Sequence, residues 1–154
     1  MSVQAIPEGF NSLTVFLGIK EAAQAIEFYK QAFGATEDFR LDTPDGRVGY
    51  AALRIGTSML MMSEPCEQGA LGSPEKSGKP PVGLHLYVQD ADATYQRALD
   101  AGAEQLTPVT DMFYGDRTGT LKDPYGHCWF IATHKQDLSP DEIRKRAEEM
   151  FKQG

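Results

Sequence analysis

Two stretches of the chain nearly repeat each other. One is IKEAAQAIEFYKQAFGA at Ile19–Ala35, and the other is VQDADATYQRALDAGA at Val88–Ala103. Both place apolar residues at helical spacing, and both end near a glycine that suits a helix C-terminus, Gly34 and Gly102. These two glycines lie 68 residues apart. The pattern predicts one amphipathic helix in each half of the chain.

The segments downstream of the two helices repeat with the same spacing. They are LRIGTSMLMM at Leu53–Met62 and LKDPYGHCWFI at Leu121–Ile131, and their first residues are again 68 residues apart. A unit of this length exceeds a solenoid repeat. The order of one strand, one helix and three strands in each half predicts an α+β fold of two tandem βαβββ modules. We expect their strands to form a U-shaped mixed sheet, whose concave face, the cup, is where a binding site would lie.

The chain has 154 residues, which predicts a single domain spanning residues 1–154. Residues 11–63 form the first predicted module, and residues 82–134 form the second. Residues 64–81 contain four prolines and three glycines and show no strand or helix pattern. They are therefore predicted to be the connecting loop, either as a simple linker or as a flap over the cup.

A C-terminal helix over residues 139–152 is predicted beyond the repeat. Ser139-Pro140-Asp141-Glu142 has the form of a capping box with proline at the first helical position. The apolar residues that share one face of this helix are Ile143, Ala147, Met150 and Phe151. An apolar face of this kind predicts that the helix packs against the domain.

Charge and composition argue against several classes of partner. The net charge is −7, whereas nucleic acids and anionic membranes call for clustered Lys and Arg. No apolar run approaches the roughly 20 residues of a membrane span, and the first residues, MSVQAIPEGFNS, do not resemble a signal peptide. The two cysteines, Cys66 and Cys128, lack metal spacing and indicate reduced thiols. We expect a cytoplasmic protein that binds neither nucleic acid nor membrane.

Strand alternation predicts which side chains face the cup, because successive residues of a strand point to opposite faces. A uniformly apolar set is expected to pack under the helices, and a mixed set is expected to face the cup. This mixed set has the usual make-up of a small-molecule pocket, although it also fits a closed core without a cavity. The predicted ligand-binding residues are Thr14, Phe16, Tyr50, Arg54, Met59, Met61, His85, Tyr87, Phe113, Thr118, Thr120 and Phe130.

Short motifs in a fixed order give the chain a family resemblance. They are AIEFY at Ala25–Tyr29, FGA at Phe33–Ala35, LRIG at Leu53–Gly56, AGA at Ala101–Ala103 and DPYGH at Asp123–His127. In this order the chain resembles the vicinal oxygen chelate superfamily, which includes glyoxalase I, bleomycin-resistance proteins and extradiol dioxygenases. The stretch from Phe113 to His134 is similar to the PhnB-like subgroup. The resemblance implies a glyoxalase-like fold and a homodimer, because this superfamily often completes its cups between two chains.

Enzymes of this superfamily hold a divalent metal on four side chains, usually His and Glu, two from each half. The resemblance puts these ligand positions on Thr14, on or beside Ala52, on Gly83 and on Phe130. Glycine, alanine and phenylalanine have no side-chain donor, and threonine is a poor ligand. The resemblance therefore implies the fold and the cup, and we expect no metal cofactor.

An atypical metal set is the alternative, because His85 is expected to face the cup. Asp116 lies near it in the predicted sheet, and Glu64 or Cys66 would have to arrive from the connecting loop. His134 lies just past the last strand and is expected to dock the C-terminal tail rather than bind a metal.

Two functional hypotheses from different classes follow. The first is a metal-free protein that binds an apolar or aromatic small molecule in the cup, as bleomycin-resistance proteins do, with Arg54 and His85 fixing its polar end. The second is a lyase- or isomerase-like enzyme that enolises a substrate next to a carbonyl. It would use His85 as the base, with an atypical metal or Arg54 stabilising the oxyanion. A third alternative is a dimeric scaffold without a ligand.

Overall fold

The computed structural model describes residues 2–153, and its elements follow the predicted order. The first copy comprises β1 (Val15–Gly18), α1 (Ala22–Phe33), β2 (Thr36–Asp42), β3 (Val48–Ile55) and β4 (Ser58–Ser63). The second copy comprises β5 (Gly83–Tyr87), α2 (Ala91–Asp100), β6 (Glu104–Asp111), β7 (Asp116–Lys122) and β8 (Cys128–His134). Helix α3 (Pro140–Gln153) follows. The α+β class, the two βαβββ modules and the C-terminal helix are thereby confirmed.

Each copy forms its own four-stranded sheet, where the sequence predicts a single one. The strand order is β1-β4-β3-β2 in the first sheet and β5-β8-β7-β6 in the second. In both sheets the first and last strands of the copy run parallel, and the other neighbours run antiparallel. The chain divides into two compact units. One runs to Pro80 and includes Pro124–Gly126, and the other comprises Pro81–Asp123 and the chain from His127 onward.

Helix α1 forms because its apolar residues recur on one face. Ala22, Ala25 and Ile26 are fully buried, and their burial supplies the main favourable term in folding. The helix ends at Gly34, whose φ of 69° lies in the left-handed region that glycine adopts without strain. The Gly34 N–H donates to the carbonyl of Lys30 at 3.1 Å. The predicted glycine cap is thus the end of the helix.

Helix α2 is held at its start by a cap and at its middle by a tyrosine. The Asp90 carboxylate accepts the N–H of Ala93 at 3.1 Å, as an N-cap does. The Tyr95 hydroxyl is buried and donates to the carbonyls of Thr107 at 2.7 Å and Thr120 at 3.0 Å. These two bonds attach the helix to β6 and β7.

The apolar face of each sheet is buried, as strand alternation predicts. Leu53 and Met62 are fully buried in the first unit, and Leu121 and Ile131 are fully buried in the second. These side chains belong to the uniformly apolar sets of their strands. The opposite face of each sheet is therefore the one left to carry a site.

The turn between β7 and β8 is organised by a buried aspartate. Asp123 is 3% exposed, and its carboxylate accepts the backbone N–H of His127 at 3.0 Å and the indole N–H of Trp129 at 2.9 Å. Gly126 completes the turn with a φ of 100°. The DPYGH motif that carries the family resemblance thus acts structurally, because it joins the turn to the core tryptophan.

Helix α3 begins as predicted but packs only in part as predicted. The Ser139 hydroxyl accepts the N–H of Glu142 at 3.1 Å, which is the expected cap. None of the α3 residues is buried, and Phe151 is 73% exposed. Ile143 and Ala147 are half-buried, whereas Met150 and Phe151 are exposed, so the predicted apolar face packs in the first half of the helix and not in the second. Within residues 2–153, no helix combines the length and apolarity needed to cross a bilayer.

Polar contacts of Arg146 hold the first half of α3. Arg146 donates to the backbone carbonyl of Phe113 at 3.3 Å and to the side-chain carbonyl of Gln136 at 3.4 Å. It also pairs with Glu142 one turn earlier at 3.1 Å. These bonds all lie in the first half of the helix, so the apolar residues of the second half gain no partner from them.

We predict that Asp123→Ala destabilises the fold. The buried indole N–H of Trp129 and the half-buried backbone N–H of His127 lose the carboxylate that accepts from them, so the free energy of unfolding should fall by about 3 kcal/mol. Urea unfolding followed by tryptophan fluorescence measures this directly, because the chain has a single tryptophan. Asp38→Ala, at an exposed position of β2, is the matched control and should change stability by less than about 0.5 kcal/mol. Equal effects of the two substitutions would contradict the structural role of Asp123.

Candidate functional site

The first sheet exposes a cluster of aromatic rings. Phe16 on β1 and Phe39 on β2 are 41% and 55% exposed. The ring of Tyr50 on β3 lies 6.0 Å from each of them, measured between centroids. Phe16 also pairs across the strands with Met61. The structure therefore brings together three of the residues predicted from alternation, Phe16, Tyr50 and Met61, and adds Phe39.

Other predicted residues of the first copy present less surface. Met59 is 8% exposed and belongs to the core, because its flexible thioether chain fills apolar space. Arg54 pairs with Met59 across the strands, and its guanidinium lies against the N-terminal segment: a Cβ placed on Gly9 would be 2.8 Å from Nη2. Thr14 is half-buried and precedes β1 by one residue. The exposed part of this face is thus aromatic rather than polar.

A groove of about 390 Å³ opens beside Phe16. Its other wall is formed by residues between Ser63 and Leu71, at the start of the predicted connecting loop. The loop contains the exposed free thiol of Cys66. This volume is in the range of small-molecule sites. The loop therefore borders a cavity next to the aromatic cluster.

The second sheet exposes its own aromatic cluster. The ring of His85 lies 4.8 Å from the ring of Tyr87 and is stacked on Phe130 at 5.8 Å. Tyr87 is 57% exposed and Phe130 is 37% exposed. Thr120 lies across the strands from Phe130. Four of the predicted residues thus share one surface.

Two predicted residues of the second copy lie elsewhere. Thr118 is buried, and its hydroxyl donates to the carbonyl of Ile131 at 3.0 Å, so its donor is already used by the backbone. Phe113 lies in the turn between β6 and β7, packed edge-on against Tyr114 at 5.2 Å. Its carbonyl accepts from Arg146 on α3. This turn belongs to the contact with the C-terminal helix.

The metal-ligand positions of the second copy are chemically unsuited, and the Phe130 ring fills the space beside one of them. The ring of Phe130 lies over Gly83 so closely that a Cβ added to Gly83 would be 2.6 Å from Cε2 of that ring. No real Cβ contact is so short. The ring therefore occupies the space that a ligand side chain at position 83 needs.

The strand register corrects one ligand position of the first copy. Phe130 pairs with His85 in the second sheet, and the equivalent pair in the first sheet is Met61 with Phe16. The position equivalent to Phe130 is therefore Met61. The resemblance places it on or beside Ala52, which pairs with Met61 across β3 and β4. A thioether is a soft, weak ligand for hard divalent ions. The donor set of these positions does not fit a divalent metal.

The alternative metal set around His85 is not assembled either. No three His, Cys, Asp or Glu side chains within residues 2–153 are grouped as a metal site requires. Glu64 accepts the backbone N–H of Val48 at 2.8 Å. Asp116 makes its hydrogen bonds to Tyr87 and His134.

Asp116 is the centre of a hydrogen-bonded cluster on the second sheet. It is 5% exposed. The Tyr87 hydroxyl donates to its Oδ2 at 2.7 Å, and Nδ1 of His134 lies 2.7 Å from its Oδ1. The other ring nitrogen of His134 lies 2.7 Å from Oδ1 of Asp137. A buried carboxylate is thus bound on both oxygens.

Electrostatics fix where the protons of this cluster lie. Burial by itself raises the pKa of Asp116, but hydrogen bonds from His134 and Tyr87 outweigh it and bring that pKa below its usual value. The bond to Asp116, together with burial, raises the pKa of Tyr87. Bonds to Asp116 and Asp137 raise the pKa of His134. At neutral pH the carboxylate is ionised and the phenol keeps its proton.

Sequence reasoning found the members of this cluster but not their connection. It treated Tyr87 as a stacking residue, Asp116 as a metal-ligand candidate near His85, and His134 as a tail-docking residue. The bond of His134 to Asp137 fits that docking role. The link to Asp116 follows from the β7–β8 register, in which Asp116 and His134 are paired. An acidic residue at the start of one strand and a histidine at the end of its antiparallel partner were the available signal.

Known proteins share this architecture. The model of the Glyoxalase/Bleomycin resistance protein/Dioxygenase superfamily matches residues 10–131. An uncharacterized protein of Mycobacterium bovis is 40% identical over 136 residues, which is 86% of this chain and 90% of that protein. TioX from Micromonospora sp. ML1 superposes with a TM-score of 0.65 at 23% identity, covering 80% of this chain and 98% of that one. A Bacillus cereus protein described as a putative 3-demethylubiquinone-9 3-methyltransferase, PhnB protein, gives 0.62 at 16% identity, covering 80% and 99%.

We predict that His134 stabilises the protein most in mildly acidic solution. Its folded-state pKa is raised above the ordinary value of 6.5, so its contribution is complete below that value and is lost as the pH rises through the folded-state pKa. The difference in unfolding free energy between the wild type and His134→Gln should therefore be largest near pH 5.5 and shrink towards pH 9. Urea titrations across this range measure the difference.

A second variant separates the two carboxylates that act on His134. Asp137→Asn removes the exposed negative charge and leaves Asp116 in place, so it should keep part of the pH dependence. A difference between wild type and His134→Gln that grows with pH would overturn the assignment.

Proposed function

Because this chain belongs to the Glyoxalase/Bleomycin resistance protein/Dioxygenase superfamily, we propose that it binds an apolar or aromatic small molecule without a divalent metal. The observation that carries the proposal is the Phe130 ring lying over Gly83. At a position where the superfamily's enzymes place metal ligands, this chain presents an aromatic surface. The site is thereby suited to stacking rather than to chelation.

The exposed rings of both sheets support a ligand of this class. Phe16, Phe39, Tyr87 and Phe130 each keep more than a third of their surface accessible. Exposed aromatic clusters mark binding surfaces, because large apolar side chains are otherwise buried. The groove beside Phe16 and the stacked pair of His85 and Phe130 offer a ligand flat apolar contacts.

A homodimer, the PhnB-like subgroup and a cytoplasmic location are parts of the same proposal. Large apolar side chains stay accessible at Leu41 and Val82, 57% and 60% exposed, and a second copy of the chain would cover surface of this kind. Light scattering distinguishes such a dimer from a single chain of 17.0 kDa. The match to the PhnB protein supports the subgroup. The free thiols of Cys66 and Cys128 support a reducing compartment.

An enolising lyase or isomerase with His85 as base is the second candidate. His85 is exposed and close enough to Asp116 for its charge to lower the pKa of that carboxyl. A general base is usually oriented by a carboxylate. The hydrogen bonds of Asp116 go to Tyr87 and His134 instead, so the geometry supports binding better than catalysis.

We expect a ligand from a panel of aromatic antibiotics to raise the melting temperature of the protein. At 100 times its dissociation constant it should add about 2.7 kcal/mol to the unfolding free energy. Phe130→Ala should weaken the binding of a ligand on the second sheet about tenfold, because it removes a stacking surface. Phe16→Ala is the corresponding test for the first sheet.

Phe151→Ala is the matched control, because this ring is 73% exposed but lies on α3 and not on a strand of either sheet. It should leave the affinity unchanged. A ligand whose affinity responds to Phe151 and to neither sheet residue would contradict the proposed site.

We predict that the protein, purified without chelator, contains far less than one equivalent of Ni, Zn or Fe by elemental analysis. The residues at the ligand positions supply no suitable donors. Added Ni²⁺, Zn²⁺ or Fe²⁺ should likewise give no turnover of methylglyoxal with glutathione. Turnover that His85→Ala abolishes would favour the enzyme instead, and stoichiometric metal would overturn the metal-free proposal.

A further inference from the structure

A small cavity borders the Asp116 cluster. Its volume is about 290 Å³, and its lining residues are Tyr87, Val88, Gln89, Thr133 and His134. The Thr133 hydroxyl donates to the carbonyl of Val88 at 2.8 Å and accepts the N–H of Ala91 at 2.9 Å. Its only proton is therefore already used within the protein.

The protons of His134 and Tyr87 are committed in the same way. Both ring nitrogens of His134 face carboxylates, those of Asp116 and Asp137. The Tyr87 hydroxyl donates to Asp116. An ionised carboxylate has no proton to donate, so the direction of this bond is fixed. The phenol oxygen of Tyr87 is left with lone pairs and no proton to offer.

We propose that the Tyr87 oxygen is a hydrogen-bond acceptor that selects ligands carrying an N–H or O–H group on an aromatic ring system. This inference rests on the proposed function, because it assigns the polar contact of a ligand that stacks on the second sheet. The Tyr87 ring connects the two parts of the site: its centroid lies 4.8 Å from that of His85, and its hydroxyl ends at Asp116.

The size and charge of the cavity narrow the class of ligand. About 290 Å³ is just below the usual range for drug-sized ligands, so one or two fused rings fit it. The ionised Asp116 next to the phenol disfavours an anionic group on the ligand. Gln89 is exposed and carries both a donor and an acceptor, so it does not discriminate. The class is therefore a neutral or cationic aromatic molecule with a donor group.

The isomers 3-methylindole and 1-methylindole test this selection. They have the same formula and nearly the same size, but only the first keeps an N–H donor. Amide chemical-shift titrations of the ¹⁵N-labelled protein at pH 7 give both dissociation constants. Wild type should prefer 3-methylindole about fivefold, which corresponds to about 1 kcal/mol for one hydrogen bond.

Two variants remove the acceptor in different ways. Tyr87→Phe keeps the ring and deletes the oxygen. This variant should bind the two isomers with equal affinity, and its affinity for 1-methylindole should match that of the wild type. Asp116→Asn should also reduce the preference, because an amide can donate to the phenol oxygen and release the phenol proton. If Asp116→Asn disturbs folding, Tyr87→Phe alone tests the acceptor site. Tyr114→Phe, in the β6–β7 turn, is the matched control and should keep the fivefold preference.

The outcomes separate this inference from the function on which it rests. Equal affinity of the wild type for the two isomers, or a preference that persists in Tyr87→Phe, overturns the acceptor site and leaves aromatic binding intact. Binding of neither isomer overturns the acceptor site and also counts against a ligand on the second sheet.

Discussion

The parallel pairing of β5 with β8 is the constraint on which the second unit depends. Its register pairs His85 with Phe130, and Gly83 lies two residues before His85 on β5. Because side chains alternate, these residues share one face while Trp129 is directed to the core. A slip of one residue would exchange the two faces, exposing Trp129 and burying a histidine. Asp123 accepts the indole N–H of Trp129 across the β7–β8 turn and so holds this ring on the core side.

A buried carboxylate is costly unless its oxygens are bound, and Asp116 shows how that cost is offset. Tyr87 and His134 bind one oxygen each, and together they keep the group ionised at neutral pH. The arrangement has a chemical result beyond stability. The carboxylate binds the proton of the Tyr87 hydroxyl, so this rotatable group can only accept a hydrogen bond from a ligand. Without Asp116, the same hydroxyl could either donate or accept.

The repeat was sufficient to predict the helices, the strands and the two copies, because periodicity within each copy is local. Alternation likewise predicted that Phe16 and His85 lie on the open faces. The features that the sequence did not predict depend on contacts between residues far apart in the chain. The pairing of Asp116 with His134 depends on a register that spans a whole hairpin, and no single strand contains it. The exposed Phe151 shows the complementary limit: an apolar helix face predicts packing only where another surface is positioned to receive it.

The overlap between Gly83 and Phe130 has an evolutionary consequence. A histidine introduced at position 83 while the ring is in place overlaps it, so that substitution requires the Phe130 ring to move aside. The reverse order is permitted, because shrinking residue 130 first leaves room for a larger neighbour. Substitutions at these two positions are therefore epistatic. A lineage that passes between chelating and aromatic forms avoids this displacement by changing residue 130 before residue 83 in one direction, and residue 83 before residue 130 in the other.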